Sequence, residues 1–211
     1  MPVFKSGLEN TPTWCEVTFF EIVRLRAGEV YYFERVAEKE KLFLCAGSCG
    51  IQILNSQFDA ESGWGRELET RNGAFIVHKI FEPTTLVRIC GHWGSGIGSS
   101  GLFTLRKSNF PLNSGDPTPY DRNTVFDNHY HDFDEYWIIV NGRGRVVTEG
   151  KTYDVGPGDC VATGMGHHHD FPLVVEEITG VYFETTLAER KRLGHLWNHT
   201  HGTASPKDDR I

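Results

Sequence analysis

His129 and His131 stand two residues apart in HYHDFDEYWIIVNG, Glu135 follows after three more residues, and Gly142 after a further six. Alternate residues of an extended strand share a face, so both imidazoles project from the same side. Two neutral imidazoles and a carboxylate brought together on neighbouring strands are three ligands for a divalent transition metal. A second segment, GPGDCVATGMGHHHDFP, reads as a tight turn at Gly158-Asp159, a short strand over 160–163 and a bend at Gly164-Met165-Gly166. It runs into three consecutive histidines, His167, His168 and His169, each with the chemistry of a fourth ligand.

Strands must hold these groups, and the chain is rich in strand-length runs of Val, Ile, Phe and Tyr. VTFFEIVRL, EVYYFERV, KLFLCAG, GIQILN, AFIVHKIF and TTLVRIC precede the histidine segment, and GRVVTEG and LVVEEITGVYFE follow it. The 23 glycines and 9 prolines, beside 12% aromatic residues, suit many short strands joined by turns. Strand alternation puts Trp137 and Ile139 on the face of Glu135 and turns Tyr136, Ile138 and Val140 away. Tyr182 and Glu184, on a late strand, are further candidate pocket residues, with a role for Glu184 or a tyrosine in moving a proton. A helix is expected where the capping-box pattern Thr186-Leu-Ala-Glu189 opens LAERKRL, with Gly194 at its C-cap. His195, His199 and His201 have no carboxylate or cysteine to complete a metal set and are read as a C-terminal segment packed or frayed on the surface.

Over the 211 residues, 21 basic against 28 acidic side chains give a net charge of -7, and no basic stripe is present to neutralise phosphates, so nucleic acid is excluded as a partner. No apolar run is long enough to cross a bilayer, and MPVFKSGLENTPTW lacks the basic and apolar regions of a secretion signal; a cytoplasmic location is expected. The five cysteines form no CxxC pair and read as buried thiols, with neither a disulfide framework nor a zinc knuckle.

The two histidine-bearing segments resemble the two motifs of the cupin superfamily. In that pattern HxH, three residues, Glu, six residues and Gly are followed by Gly, five residues, Pro, one residue, Gly, two residues and His. His129, His131, Glu135 and Gly142 fill the first motif, and Gly158, Gly166 and His169 the second; Gly164 replaces the proline, and Leu173 stands where an asparagine sometimes closes the motif. The resemblance thus selects His169 as the fourth ligand. His167, of the same strand parity, becomes a candidate acid/base or substrate contact, and His168 should point away. Laying Glu40 on Glu135 places Gly47 on Gly142 but puts Glu34 and Val36 at the histidine positions, and laying Gly73 on Gly158 puts Thr84 at the third. The first half therefore resembles a cupin repeat without its ligands, and the whole chain a bicupin.

The expected fold is all-β, two antiparallel jelly-roll barrels with a short C-terminal helix. Residues 1–110 would form the barrel without metal ligands, 111–123, in the proline-rich stretch SNFPLNSGDPTPYDRN, the linker, 124–190 the metal-binding barrel and 191–211 a C-terminal segment and tail. The resemblance implies one divalent transition metal per chain, Fe, Mn, Ni, Co, Cu or Zn, with open positions for a small-molecule substrate. It also implies a homodimer. DEYWIIVNGRGRV and YDVGPGDCVATGMGHHHD look like cupins described as similar to mannose-6-phosphate isomerase. The leading expectation is an isomerase or epimerase on a small hydroxylated or carbonyl, carbohydrate-like compound; the alternatives are an Fe(II)-dependent dioxygenase and a non-catalytic small-ligand-binding cupin. A phosphorylated substrate would need a cation, and Arg122, Arg143 and Arg145 are nearest in sequence.

Overall fold

The computed structural model describes residues 3–5, 11–68, 73–94, 96–185 and 192–211. In chain order its strands are β1 (Val3–Lys5), β2 (Val17–Leu25), β3 (Tyr31–Glu34), β4 (Lys39–Ala46), β5 (Ser48–Ile53), β6 (Ser56–Glu61), β7 (Gly65–Leu68), β8 (Ala74–His78) and β9 (Thr84–Gly91). There follow β10 (Ser100–Leu105), β11 (Glu135–Thr148), β12 (Lys151–Val155), β13 (Asp159–Thr163) and β14 (His169–Glu184), and one helical turn, α1 (Asn198–His201). The fold is nearly all β, as the runs of β-branched and aromatic residues require.

The chain divides into two compact units, Glu16–Trp93 and the remainder, Met1–Cys15 with Gly94–Ile211. Within 16–93 the strands form two open antiparallel sheets, ordered β2-β9-β4-β7 and β3-β8-β5-β6, around Leu42, Leu44, Ile51, Phe75, Val77 and Leu86. In the other unit the order is β1-β13-β11-β14-β10, with β12 on β11, around Trp137, Ile139, Val146, Val161, Phe171 and Ile178. The run β10-β14-β11-β13 repeats β2-β9-β4-β7, so the two units share a strand order although their sequences differ.

β11 serves both ends of its unit because it bends. Its register against β14 shifts between Ile139 and Gly144, and Gly142 takes φ 84°, where an added Cβ would strike the Glu177 carbonyl oxygen. Only glycine accommodates both demands at that kink.

The division expected at residue 110 falls elsewhere. β10 pairs with β14 from Ser100↔Phe183 to Leu105↔Ile178, and β1 pairs with β13, so both early strands belong with the later half. Nor does the proline-rich stretch join the two units: backbone bonds from Ser108, Leu112 and Asp116 to Asn123, Thr124 and Asn128 fold it within the second. Its prolines signal irregular backbone, which a loop packed on its own unit satisfies as well as a linker does.

Thr186, Leu187, Ala188 and Glu189 of the expected capping box lie outside the described residues. The helical turn that is described lies later, at α1. The tail is pinned and not frayed: Arg192 Nε and Nη2 reach the Asp132 carboxylate at 2.7 and 3.0 Å, Leu196 bridges Tyr130, and the Lys207 N–H bonds the Met165 carbonyl.

Candidate metal centre

Glu135 opens β11 and His169 opens β14, while the extended segment holding His129 and His131 is fixed by a two-way backbone bridge between His129 and His169, 2.9 and 3.2 Å. The sequence-selected four thus come together: one ligand atom from each of His129, His131, Glu135 and His169 lies within 4.8 Å of all the others. All four residues are buried.

Each imidazole is oriented by a backbone carbonyl. Nδ1 of His129 lies 2.8 Å from the Asp127 carbonyl oxygen, that of His131 3.0 Å from Gly194 and that of His169 3.0 Å from His167. A carbonyl only accepts, so each Nδ1 carries the proton and each Nε2 presents a lone pair inward. The Nε2 atoms of His129 and His131 then face each other at 3.0 Å with no proton between them. His169 Nε2 stands 2.9 Å from Glu135 Oε2, yet neither atom has a hydrogen-bond partner of sound geometry. Converging lone pairs and a buried carboxylate repel one another unless a cation lies among them, and three imidazoles with one carboxylate suit a divalent transition ion. The residues fit the metal.

Burial, reinforced by the neighbouring imidazoles, holds His129 well below its ordinary pKa, and burial also lowers His169. Burial alone would lower His131 too, but Glu135, with Oε2 at 3.4 Å, outweighs it and raises the pKa. The same proximity works on Glu135: burial would raise its pKa, but His131 and His169 hold it well below the usual carboxylate range.

A cavity of about 440 Å³ opens beside the group, reached through Glu135 and walled by Trp137, Phe126, Phe171, Phe103, Leu105 and Tyr182. Trp137 lines it as alternation requires; Ile139 packs in the core behind. Glu184 lines it as well, only 5% exposed, with Oε2 unpartnered. Burial, with the Glu135 charge adding to it, raises the Glu184 pKa against the pull of His131 and His195. Gly98 makes room for this carboxylate, since a Cβ there would strike Glu184 Oε2. Tyr182 also faces the cavity, its hydroxyl 3.2 Å from Ser99 Oγ.

His167 is not among the cavity residues. Its Nε2 donates to the Lys207 carbonyl at 3.0 Å, and its own carbonyl orients His169. The parity argument fails there because β14 begins only at His169 and residue 167 lies just past a turn. His168 points to the Asp116 carboxylate, 2.8 Å away, which also takes His199 Nδ1 at 2.9 Å. His201 Nδ1 accepts the Trp197 N–H, so His195, His199 and His201 serve three separate ends.

His195 was hidden from sequence spacing. Its ring lies flat on His129, centroids 3.6 Å apart with 4° between planes, and lines the cavity. Asp127 holds it there, accepting from His195 Nδ1 at 2.9 Å and from Trp197 Nε1 at 2.8 Å. These hydrogen bonds outweigh burial and lower the Asp127 pKa. The three arginines considered for a phosphate lie apart from the cavity: Arg122 pairs with Asp170, Arg143 with Glu176 and Arg145 with Asp154. The cysteines are free thiols, and burial pushes Cys15, Cys45 and Cys90 up to about 12 and Cys49 up to about 11, so they remain protonated. Among the described residues no helix is long and apolar enough to cross a membrane.

A cupin-domain family model matches residues 120–182, which span both motifs. Over all 211 residues the chain is 40% identical to the uncharacterized protein y4oW of Sinorhizobium fredii, covering 97% of it. Among solved structures it resembles an iolb-like protein from Salmonella typhimurium, with a TM-score of 0.54 and 16% identity over 87% of this chain and 88% of that one. It also resembles a deletion mutant of Bacillus subtilis oxalate decarboxylase, with a TM-score of 0.55 and 10% identity over 83% of this chain and 69% of that one. At those identities the likeness is one of fold. With its two motifs, its strand order and its buried His/Glu group, the chain belongs to the cupin superfamily.

Proposed function

We propose that this chain is a bicupin, two units of one strand order, whose second unit is a metal-dependent enzyme. It would move a proton on a small hydroxylated or carbonyl compound, the chemistry of an isomerase or epimerase. The observation that carries this reading is Glu184, a buried carboxyl with a raised pKa and an unpartnered Oε2 in the same cavity as Glu135. His129, His131, Glu135 and His169 would hold one divalent ion, which when bound polarises substrate oxygens and acidifies the neighbouring C–H. Glu184 Oε2 takes that proton and returns it, its affinity tuned upward by burial toward working pH. Trp137 and Phe171 exclude water from the transfer, and the Tyr182 and Ser99 hydroxyls offer donors to a substrate oxygen.

A second reading, an Fe(II)-dependent dioxygenase, is favoured by the aromatic walls, which suit an apolar substrate. One experiment separates the two. Anaerobically purified protein, loaded in turn with Fe(II), Mn(II), Ni(II), Co(II), Cu(II) or Zn(II), is incubated with hydroxy-carbonyl compounds in deuterated water. Deuterium entering the C–H beside the carbonyl without oxygen consumption, and lost in Glu184→Gln, supports proton transfer. Oxygen uptake confined to the Fe(II) form, with no exchange, replaces it with the dioxygenase.

A further inference from the structure

We infer that residues 192–211 are part of the metal centre: the tail holds the outer partner of every ligand imidazole, and Gly194 and Arg192 are positioning residues that set metal affinity. This rests on the reading that His129, His131, Glu135 and His169 hold an ion. Each ligand histidine gives its Nδ1 proton to a backbone carbonyl, and each of those carbonyls leads to the tail. For His131 the acceptor is Gly194 itself, at 3.0 Å. For His129 it is Asp127, whose carboxylate accepts from His195 Nδ1 at 2.9 Å and from Trp197 Nε1 at 2.8 Å. For His169 it is His167, whose Nε2 donates to the Lys207 carbonyl at 3.0 Å. Such outer partners fix the orientation and basicity of a ligand ring, and their loss lowers metal affinity by about 10- to 100-fold.

The tail is seated on both sides of the Gly194 contact. Arg192 grips the buried Asp132 carboxylate through Nε and Nη2, and Leu196 exchanges two backbone bonds of 3.0 Å with Tyr130. Gly194 presents its carbonyl from a φ of 81°, in the left-handed region that favours glycine. A Cβ added there would meet nothing within 4 Å, so the backbone angle, and not crowding, calls for glycine. Farther on, the tail accounts for the departure from the second motif. A Cβ at Gly164, where that pattern has proline, would strike Arg210, and one at Gly166 would strike the Ser205 carbonyl. Glycine at both positions leaves the space that the tail fills.

Chelator competition on the full chain loaded with Co(II) tests this, with the visible absorption of the bound ion as a second readout. Gly194→Val, whose β-branched side chain resists a positive φ, should bind the ion about 10- to 100-fold more weakly and shift the Co(II) bands. Gly194→Asn, which adds a side chain of similar reach but tolerates that angle, should recover most of the affinity and the wild-type bands. Arg192→Met should weaken binding about tenfold, with Arg192→Lys recovering part of it; this pair carries the test if circular dichroism shows Gly194→Val misfolded. Wild-type affinity and bands in both Gly194→Val and Arg192→Met overturn the inference and leave the metal reading standing. Equal weakening by Val and Asn at 194 also overturns it, because bulk and not the aim of the carbonyl would then be at work. A wild-type chain that takes up no ion removes the metal reading and the inference with it.

Discussion

Glu40 and Glu135 occupy corresponding places in two sheets of the same strand order, yet their carboxylates face different partners. Glu135 pairs across β11 and β14 with Glu184 and meets three imidazole lone pairs. Glu40 pairs across β4 and β9 with Cys90, and its Oε2 is bonded at 2.8 Å by Arg88, two residues earlier on β9, where β14 carries Tyr182. Backbone N–H groups of Val36 and Ala37 complete the shell of Glu40 at 2.7 and 3.3 Å, and the Arg88 guanidinium sits 5.6 and 5.5 Å from the Phe33 and Phe75 ring centres. A buried carboxylate needs a cation in both units. Residues 16–93 carry that cation on the chain, closed and fully bonded. In the other unit the corresponding carboxylate faces His129, His131 and His169, a group that could hold an ion from solution. Among the described residues, no group of metal-ligand side chains is gathered in 16–93.

The largest effect expected is on turnover. Glu184→Gln should lower the proton-transfer rate by about 10²- to 10⁴-fold with metal content unchanged; loss of metal with the rate would make Glu184 a ligand and erase the distinction from Cys90. Next comes Arg88→Met, which leaves Glu40 buried without its partner and should cost about 3–5 kcal/mol in urea unfolding while sparing the metal, with Glu40→Leu on the same chain recovering much of it. A smaller effect attends Asp127→Asn, which loosens His195 on His129 and should lower metal affinity by at most about tenfold, read by competition with a chelator.

The smallest is a pH effect confined to one unit. His129 and His169 have folded pKa values below 6.5, so without metal the unfolded chain binds more protons and stability falls as pH drops below 6.5. His131, raised above 6.5, acts oppositely: its contribution is present below that value and lost as pH rises through its folded pKa. The raised Glu184 acts in the same sense as His131, but His129 is held well below 6.5 and sets the direction, so the metal-free site should lose hydrogen-exchange protection at residues 129–135 and 169 as pH drops below 6.5. β4 and β9 should not, because Arg88, bonded to the Glu40 and Glu21 carboxylates, stays charged throughout. Equal loss in both units would break the contrast.

The His/Glu group was legible because three of its members are local, His129, His131 and Glu135 lying within seven residues, while His169, beyond β12 and β13, was picked out by its spacing from Gly158 and Gly166 in the second motif. Glu184 was legible from its strand, and the all-β fold from repeated short apolar runs. Long-range pairing was not. His195 reaches His129 only because Leu196 bridges Tyr130, and Gly98 reaches Glu184 only because its backbone N–H bonds the Glu184 carbonyl. The strand order that the two units share has a trace in the sequence at Glu40 and at Gly47, whose φ of 80° matches the 84° of Gly142, but the glycine alignment misplaced the third position. Register sets Ala74 opposite Glu34, as His169 stands opposite His129, while Thr84 starts β9 beside Leu25. A loop of different length between the two strands shifts any alignment anchored on Gly73.

Metal content per chain decides most directly between the two uses of a buried glutamate. Elemental analysis should find about one divalent transition ion per chain in the wild-type protein and in Glu40→Gln, and almost none in His129→Ala that still shows the wild-type circular dichroism. Full metal in His129→Ala, or metal lost in Glu40→Gln, would contradict the assignment of the ion to His129, His131, Glu135 and His169.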